Sequence, residues 1–245
     1  MAKLTPEEQL EIRKKSHKQL MYVGIFSIVM IFAGLSSAYF VSRSDKTWVK
    51  IFPPESFYIS TVLIVISSLT YWFAVKYLRR GENRKGSFWV ILTLLLGLCF
   101  TYFQVKGWQE LEEAGNYLGG QHNISELFKE GKGEYGKDFV IMQQGKELAY
   151  FNGEFYDLRD VNYSSPIEKV TLDVSNNASS FFYLFTGLHI AHLLGGLISL
   201  LIVFSKSWRK KYSENDHIGV KVSAIYWHFL DFLWLYLLCL LYFVG

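Results

Sequence analysis

The sequence predicts an all-α membrane protein: a five-transmembrane-helix bundle with a small β-hairpin-containing segment outside the membrane, between helices three and four. The first observation is composition, since 51% of the 245 residues are hydrophobic and 18% are aromatic, which is unusual for a soluble domain. The second is that five windows are apolar over the roughly 20 residues that a membrane-spanning helix needs. These windows are residues 20–41, 57–78, 88–105, 179–204 and 222–244.

The N-terminal residues 1–19 are polar and predict a short cytoplasmic surface helix. Thr5 is suited to the N-cap, Pro6 to the first helical position, and Glu8 completes a capping box. The first apolar run is longer than that of a secretory signal peptide. We therefore expect it to remain as the first span, so that the chain comprises residues 1–19, spans one to three (20–105), an outer segment (106–178) and spans four and five (179–245).

The basic residues predict the orientation of the spans. They are concentrated in the N-terminal tail and in the loops after spans two and four, and Lys/Arg-rich segments stay in the cytoplasm. The prediction is N-terminus in and C-terminus out. Some of these residues can also bind anionic lipid headgroups; the candidates are Arg79, Arg80, Arg209 and Lys210. A net charge of +3 without a basic stripe excludes a nucleic-acid partner.

The outer segment, residues 106–178, is too long for an ordinary connection between helices and predicts a small folded cap. Asn152-Gly153 lies between two short apolar-aromatic runs, which is a strong hairpin signal. A helical turn is expected around residues 125–129. Cys99 and Cys239 lie in two different spans and are expected to be free, buried apolar residues.

Ionisable side chains in spans four and five are the candidates for chemistry. His189 and His192, and likewise His228 and Asp231, are three residues apart and share a helix face. A charged group in the hydrocarbon is costly and usually functional or paired. Three interpretations remain open for the histidines: hydrogen-bonded core residues, metal or haem ligands, or a proton relay.

The metal interpretation is weak, and the haem interpretation needs a cross-helix pair. His-Ile-Ala-His has neither the spacing nor the glutamate of the zinc-binding HExxH motif. A bis-histidine haem would need His228 with His189 or His192. A transporter is disfavoured, because broken helices and inverted repeats are not visible.

Small residues predict where helices approach closely. Span one has Ala33 with Ser37 and Gly34 with Ala38, and span four has Gly187, Gly195 and Gly196. Such pairs are typical of helix packing seams in membranes.

Two motifs resemble a known family. TGLHIAHLLGG, followed after a basic loop by YWHFLDFLWLYLLCLLYFVG, is similar to the last two helices of haem–copper oxidase subunit III. VMIFAGLSSAYF and SSLTYW are similar to earlier helices of its five-helix form, so that the likeness covers all five spans.

The resemblance implies a non-catalytic subunit of a proton-pumping terminal oxidase in the bacterial inner membrane. Haem and copper are then expected in subunits I and II, which are the implied partners, and this chain would bind phospholipid, stabilise subunit I and support proton uptake. No catalytic or metal-ligating residue is expected in it. The family-signature positions, expected to form polar bonds between helices, are His189, His192, Tyr226, His228, Asp231 and Trp234.

Two features depart from the family pattern. Ile28 stands where many members have a membrane carboxylate, so a role that needs this group does not transfer. The outer segment 106–178 is longer than the usual connection. Its acidic, hairpin-bearing surface predicts docking of a cytochrome c or another respiratory complex, and a role as a spacer or shield is left open. The electron donor, cytochrome c or quinol, is left open because it depends on subunit II.

Overall fold

The computed structural model describes residues 5–43, 47–114, 116, 118, 134–143, 146–152, 154–158, 163, 167, 177–213 and 217–244. The protein is mostly helical and has a small antiparallel sheet. The helices are α1 (Pro6–Arg43), α2 (Glu55–Arg79), α3 (Asn83–Glu113), α4 (Asn177–Trp208) and α5 (Ile218–Phe243). All five are long and apolar enough to cross a membrane, which confirms the five predicted spans. The orientation of the termini stays a prediction.

Helix α1 is continuous from Pro6 to Arg43. The sequence predicted a separate surface helix over residues 1–19, and the structure corrects this prediction. The reason is that the polar part, EEQLEIRKKSHKQ, is rich in strong helix formers and contains no helix breaker. The predicted capping box is confirmed: the Thr5 amide donates to Glu8 Oε2 at 2.8 Å and the Glu8 amide donates to Thr5 Oγ1 at 3.3 Å.

Contacts between Cα atoms divide the chain into two units. The first contains Met1–Ala33, Ile59–Tyr102 and His189–Leu235. Its buried centre consists of large aromatic side chains, Tyr71, Phe100, Trp227 and Trp234, each at most 1% exposed. Two glycines make room for Trp227: a Cβ at Gly97 would lie 2.8 Å from its Cη2, and a Cβ at Gly196 would lie 3.2 Å from its Cε3.

The second unit contains Gly34–Tyr58, Phe103–Leu188 and Tyr236–Gly245. Its sheet has the order β1 (Thr47–Ile51), β2 (Phe139–Gln143), β3 (Lys146–Phe151) and β4 (Glu154–Asp157), and all pairs are antiparallel. The predicted hairpin is confirmed, since Phe151 pairs with Glu154 and Asn152 has a φ of 50°. The turn predicted over residues 125–129 lies outside the described residues.

Strand β1 belongs to the loop between α1 and α2, so the sheet is not confined to the segment 106–178 as the sequence suggested. Trp48, Val49 and Ile51 are each at most 4% exposed. Trp48 packs edge-on against Tyr39 of α1, with ring centroids 5.4 Å apart, and Tyr39 also contacts Phe181 and Phe185 of α4.

Both cysteines are free, as predicted, but the prediction that they are buried is wrong. Cys99 and Cys239 are exposed on the surfaces of α3 and α5. On a membrane-spanning helix an apolar thiol can face lipid at little cost, and an apolar run alone does not distinguish a core face from a lipid face.

Candidate functional site

The candidate site is a row of polar bonds between α2 and α5, which we call the α2/α5 seam. The indole Nε1 of Trp234 donates to Thr61 Oγ1 at 2.9 Å, and that of Trp227 donates to Ser67 Oγ at 3.1 Å. The Tyr71 hydroxyl donates to Ser223 Oγ at 2.8 Å. Apolar side chains fill the space around these bonds, so each polar group is satisfied by the neighbouring helix rather than by water.

His228 and Asp231 form the most polar part of the seam. The Ser68 hydroxyl and Nδ1 of His228 are 2.6 Å apart and share a hydrogen bond. Asp231 Oδ2 lies 3.9 Å from the same Nδ1, and Asp231 is only 5% exposed. In a hydrolase triad the serine and the carboxylate approach opposite ring nitrogens. Because both approach Nδ1 here, the group lacks the geometry for nucleophilic catalysis. Ser68 and His228 bond across α2 and α5. Asp231 lies on the same helix as His228, and neither of its carboxylate oxygens has a hydrogen-bond partner among the described residues, so the bond between helices that the sequence predicted for Asp231 is not found.

His189 is surrounded by the aromatic rings of Phe100 and Trp234 and does not form the predicted hydrogen bond between helices. Its ring is 0% exposed, with its centroid 6.0 Å from that of Phe100 and 5.3 Å from that of Trp234. Neither ring nitrogen has a hydrogen-bond partner among the described residues. The prediction of a polar bond between helices is therefore wrong for His189, because the aromatic rings that contact it present carbon atoms instead of hydrogen-bond donors and acceptors.

A haem held by His189 and His228 does not fit these side chains. The ring of His189 is already covered by Trp234 and Phe100, and Nδ1 of His228 is hydrogen-bonded to Ser68. A haem bound at His189 would have to displace the Trp234 ring, which contacts that histidine and is 0% exposed.

His192 and Tyr226 connect α4 to α5 through the backbone. The Tyr226 hydroxyl donates to the carbonyl oxygen of His192 at 3.0 Å. The His192 ring is half-buried, with its centroid 6.0 Å from that of Phe32 on α1. Tyr226 thus bonds to the neighbouring helix, and its acceptor is a main-chain carbonyl rather than the histidine ring.

Small hydroxyl side chains extend the seam to α3 and α4, and the sequence did not single out these pairs. Thr70 Oγ1 and Thr93 Oγ1 are 2.9 Å apart, and Ser199 Oγ donates to Ser223 Oγ at 2.8 Å. Near the start of α3 and the end of α4, the Oγ atoms of Ser87 and Ser207 are 2.7 Å apart. The sequence signal for these pairs was the recurrence of Ser and Thr in apolar spans. That recurrence identifies the polar side chains but not which of them bond to each other.

The small residues predicted to lie at close helix contacts do so on α4 but remain exposed on α1. Gly196 is confirmed as a packing position against Trp227 and Leu230, and a Cβ at Gly195 would lie 3.4 Å from the Tyr226 hydroxyl oxygen. A Cβ at Gly34 would meet nothing within 4 Å. Ala33, Gly34, Ser37 and Ala38 are exposed, so the α1 stripe remains accessible on the surface of the described residues.

The four lipid-headgroup candidates, Arg79, Arg80, Arg209 and Lys210, are all exposed. Arg209 also lines an open cavity of about 370 Å³ together with Lys206, Lys211 and apolar residues of α4. Lys210 follows the end of α4 in the left-handed conformation, with a φ of 53°. The cavity thus combines basic side chains with apolar surface.

Comparison with known proteins finds one family to which the chain is similar. Residues 155–245 match the family model described as cytochrome c oxidase subunit III. A probable cytochrome c oxidase subunit 3 of Mycobacterium leprae is 26% identical over 230 residues, which is 91% of this chain and 85% of that protein. The cytochrome c oxidase subunit 3 of Corynebacterium diphtheriae is 25% identical over 224 residues, covering 88% of this chain and 82% of its own length.

The identity is higher over a shorter stretch. The cytochrome c oxidase subunit 3 of Anopheles gambiae is 42% identical over 66 residues, which is 27% of this chain and 25% of that protein. The resemblance drawn from the sequence motifs is thereby confirmed, and this multi-pass membrane chain is similar to cytochrome c oxidase subunit III proteins along most of its length.

Proposed function

We propose that this chain is the non-catalytic subunit III of a proton-pumping haem–copper terminal oxidase in a bacterial inner membrane, where it stabilises subunit I. The observation that carries the proposal is the α2/α5 seam. The family-signature side chains of α5 form internal bonds, with Trp234 bound to Thr61 and His228 bound to Ser68. In this account haem and copper are held by subunits I and II, and the signature residues of this chain give its helices a fixed surface for packing.

The stripe on α1 is the surface that we assign to a neighbouring subunit. Gly34, Ser37 and Ala38 are exposed on one stretch of the helix, and small residues allow the backbone of another helix to approach closely. Phe40 and Val41 beside them are 51% and 70% exposed. Subunit I is the partner proposed for this stripe.

A matched pair of glycine substitutions tests this assignment. Gly34→Leu should leave the chain folded, because a Cβ there meets nothing within 4 Å, yet it should weaken co-purification with subunit I. Gly24→Leu is the control, since Gly24 lies on the same helix and its Cβ also meets nothing within 4 Å. Equal recovery of subunit I with both variants would remove the assignment.

Phospholipid binding and support of proton uptake belong to the same proposal. Arg79, Arg80, Arg209 and Lys210 are the proposed headgroup contacts, and Asp231 is the proposed carboxyl for proton uptake. Asp231→Asn keeps the shape of the side chain and removes its charge. Normal assembly with faster inactivation during turnover would support the role, whereas normal assembly with normal turnover stability would exclude it.

For the outer cap we propose docking of a cytochrome c or another respiratory complex. Glu134, Glu147 and Glu154 are exposed on or beside its strands, and charge complementarity steers a basic partner to such a surface. Replacing the three with glutamine should weaken partner co-purification and reduce its salt dependence. Deleting the segment is a poorer test, because it would also remove the β2 partner of β1.

The runner-up functions are a quinol-oxidase subunit III and a small bis-histidine cytochrome. A subunit II that co-purifies and contains copper would favour cytochrome c as donor over quinol. The bis-histidine cytochrome predicts a Soret band from the isolated chain, which the packing around His189 and His228 does not favour.

A further inference from the structure

A cavity of about 480 Å³ lies between α2 and α5, and we call it the α2/α5 cavity. Helix α2 contributes Val65, Ser68, Leu69 and Trp72. The last three follow Val65 by three, four and seven residues, so that all four share one helix face. Helix α5 contributes His228. The cavity is therefore the outer side of the α2/α5 seam.

The α2/α5 cavity opens away from the helices. Val65, Leu69 and Trp72 are all exposed, and the side chain of His228 is 39% exposed. Both helices are long and apolar enough to cross a membrane. Molecules that are dissolved in the hydrocarbon are therefore the ones that reach this cavity.

The polar residues of the cavity lie deep in the membrane span. Ser68 is 13 residues after Glu55 and 11 residues before Arg79, the two ends of α2. These separations correspond to roughly 16–20 Å of helix on each side, and half of a hydrocarbon core is about 15 Å thick. The hydrogen-bonded pair of Ser68 and His228 thus lies near the middle of the membrane, away from phospholipid headgroups.

His228 supplies a hydrogen-bonding atom at this depth. Its Nδ1 shares a hydrogen bond with Ser68 Oγ at 2.6 Å, and no hydrogen bond joins Nε2, the other ring nitrogen, to a described residue. In a neutral imidazole one nitrogen donates and the other accepts, so Nε2 is left as a donor or as an acceptor. A polar atom without a partner in hydrocarbon is costly. A lipid-soluble ligand that has an oxygen at this depth would remove that cost.

Trp72 supplies an aromatic surface in the same cavity. Phe73 meets its indole edge-on, with ring centroids 5.0 Å apart, and Lys76 Nζ lies 5.3 Å from the indole centroid. These two contacts hold the indole in place. Its exposed surface is available to a flat ring, because aromatic rings attract each other in stacked or edge-on arrangements.

We propose that the α2/α5 cavity binds the ring of a lipid-soluble quinone or its quinol, with a ring oxygen bonded to Nε2 of His228 and the ring against Trp72. A quinone carbonyl accepts from Nε2–H, and a quinol hydroxyl donates to an unprotonated Nε2, so that this pair of molecules suits both forms of the histidine. A lipid acyl chain fills the same space but offers the nitrogen no partner. The proposal concerns binding alone and goes beyond the proposed function, because it does not depend on which subunit receives electrons.

The test measures binding of decylubiquinone by native mass spectrometry, in the purified complex that contains the full chain and in the purified full chain alone. The account predicts one saturable decylubiquinone per chain in the chain alone, and the same site in the complex. Decylbenzene is the comparison, since it has a ring and the same tail but no oxygen. It should bind about tenfold more weakly, because it cannot form the hydrogen bond.

Two adjacent positions on α2 give a matched pair of variants. Val65 lines the cavity and Ile66 does not, although both are 43% exposed. Val65→Trp should fill the cavity and abolish binding of decylubiquinone, whereas Ile66→Trp adds the same bulk outside it and should leave binding unchanged. Neither change touches the bond between Ser68 and His228.

A substitution of the histidine separates the hydrogen bond from packing. His228→Phe keeps a ring and removes both nitrogens. It should weaken binding of decylubiquinone by about tenfold and leave binding of decylbenzene unchanged. If this variant does not fold, the Val65 and Ile66 pair still decides whether the cavity is the site.

Three results would overturn the proposal. Equal affinity for decylubiquinone and decylbenzene would show a groove for acyl chains. Equal effects of Val65→Trp and Ile66→Trp would place the binding elsewhere. Binding to the chain alone but not to the complex would show that another subunit covers the cavity. Failure of the proposed function is distinguishable, because it would appear as absence of haem–copper subunits from the preparation.

Discussion

The indole Nε1 of Trp234 donates a hydrogen bond to Thr61 Oγ1 across α5 and α2 at a distance of 2.9 Å. Trp234 is 0% exposed, and its ring also covers His189 and meets Phe100 edge-on with centroids 5.3 Å apart. One side chain therefore joins α2, α3, α4 and α5. This relationship explains why a tryptophan with a polar NH is present in an otherwise apolar span.

Removing that bond should destabilise the chain by a modest, measurable amount. Thr61→Val keeps the shape of the side chain and leaves the Trp234 NH without its acceptor. Interhelical hydrogen bonds in membranes contribute about 0.6 kcal/mol on average and up to about 1.7. A double-mutant cycle with Trp234→Phe, followed by detergent-induced unfolding, should give a coupling free energy in this range.

The matched control is Thr101→Val, because Thr101 Oγ1 bonds to the carbonyl of Gly97 on its own helix at 3.0 Å. It should have a smaller effect, since the backbone bond of that turn remains. A coupling energy near zero for Thr61 and Trp234 would contradict the account of the seam.

Gly97→Ala should lower the free energy of unfolding by about 1–3 kcal/mol, the usual effect of overpacking. The added Cβ would lie 2.8 Å from Trp227 Cη2 and 2.9 Å from Leu197 Cδ2. Gly24→Ala should have the opposite sign, because its Cβ meets nothing within 4 Å and alanine is a better helix former by about 0.5–1 kcal/mol. Detergent unfolding of both variants measures the difference in the free energy of unfolding. Equal effects would argue against the account that Gly97 makes room for Trp227.

His189→Leu should leave the free energy of unfolding within about 1 kcal/mol of the unaltered chain. It removes two buried nitrogens that have no partner among the described residues, and leaving such groups unsatisfied costs about 1–3 kcal/mol. The loss of the aromatic contacts, about 0.5–1.5 kcal/mol, opposes that gain. His228→Leu is the comparison and should destabilise the chain, because it breaks the bond to Ser68. If the two variants were equally damaging, His189 would have a polar role that its packing does not explain.

The four-stranded sheet should lose stability at alkaline pH through Tyr135. Its hydroxyl donates to the Leu148 carbonyl at 2.7 Å and accepts from the Ile141 amide at 3.1 Å. Burial raises the pKa of Tyr135 above the usual value of 10.0. A raised folded-state pKa means that the stabilisation is complete below about pH 10 and is lost as the pH rises through the folded-state value.

Hydrogen exchange of strand β2 measures this effect. Tyr135→Phe should increase exchange at neutral pH and abolish the additional alkaline loss. Tyr163→Phe is the control, because Tyr163 is 43% exposed and stacks on Phe151 at the surface. An unchanged alkaline profile in Tyr135→Phe would show that another group is responsible.

The parts of the fold that local sequence determines were predictable. The apolar windows predicted five spans because length and hydropathy are local properties, and Asn152 predicted the hairpin because its turn chemistry is local. Strand β1 was missed because its partner, β2, is about ninety residues away in the chain, a distance that five residues of sequence do not reveal. Continuity of α1 was missed because a change from polar to apolar residues suggests a boundary, although both parts favour helix.

The sequence predicted which residues belong to the site, but it predicted less well which hydrogen bonds they form. Spacing and the family signature indicated Tyr226, His228 and Trp234, and each contributes to a bond between helices. His189 differs because its environment consists of side chains from α3 and α5, which only tertiary packing brings together. Periodicity on α1 likewise identified a small-residue stripe but not that it stays exposed.

The most direct test of the central claim is to purify the tagged full-length chain from aerobically grown cells in mild detergent and to analyse the native band. The account predicts that haem–copper subunits I and II co-migrate with the chain and that the band has the absorption of an oxidase. Thr61→Val should lower the recovery of those subunits, while Thr101→Val should not. A chain that migrates alone, with haem–copper subunits recovered elsewhere, would contradict the account.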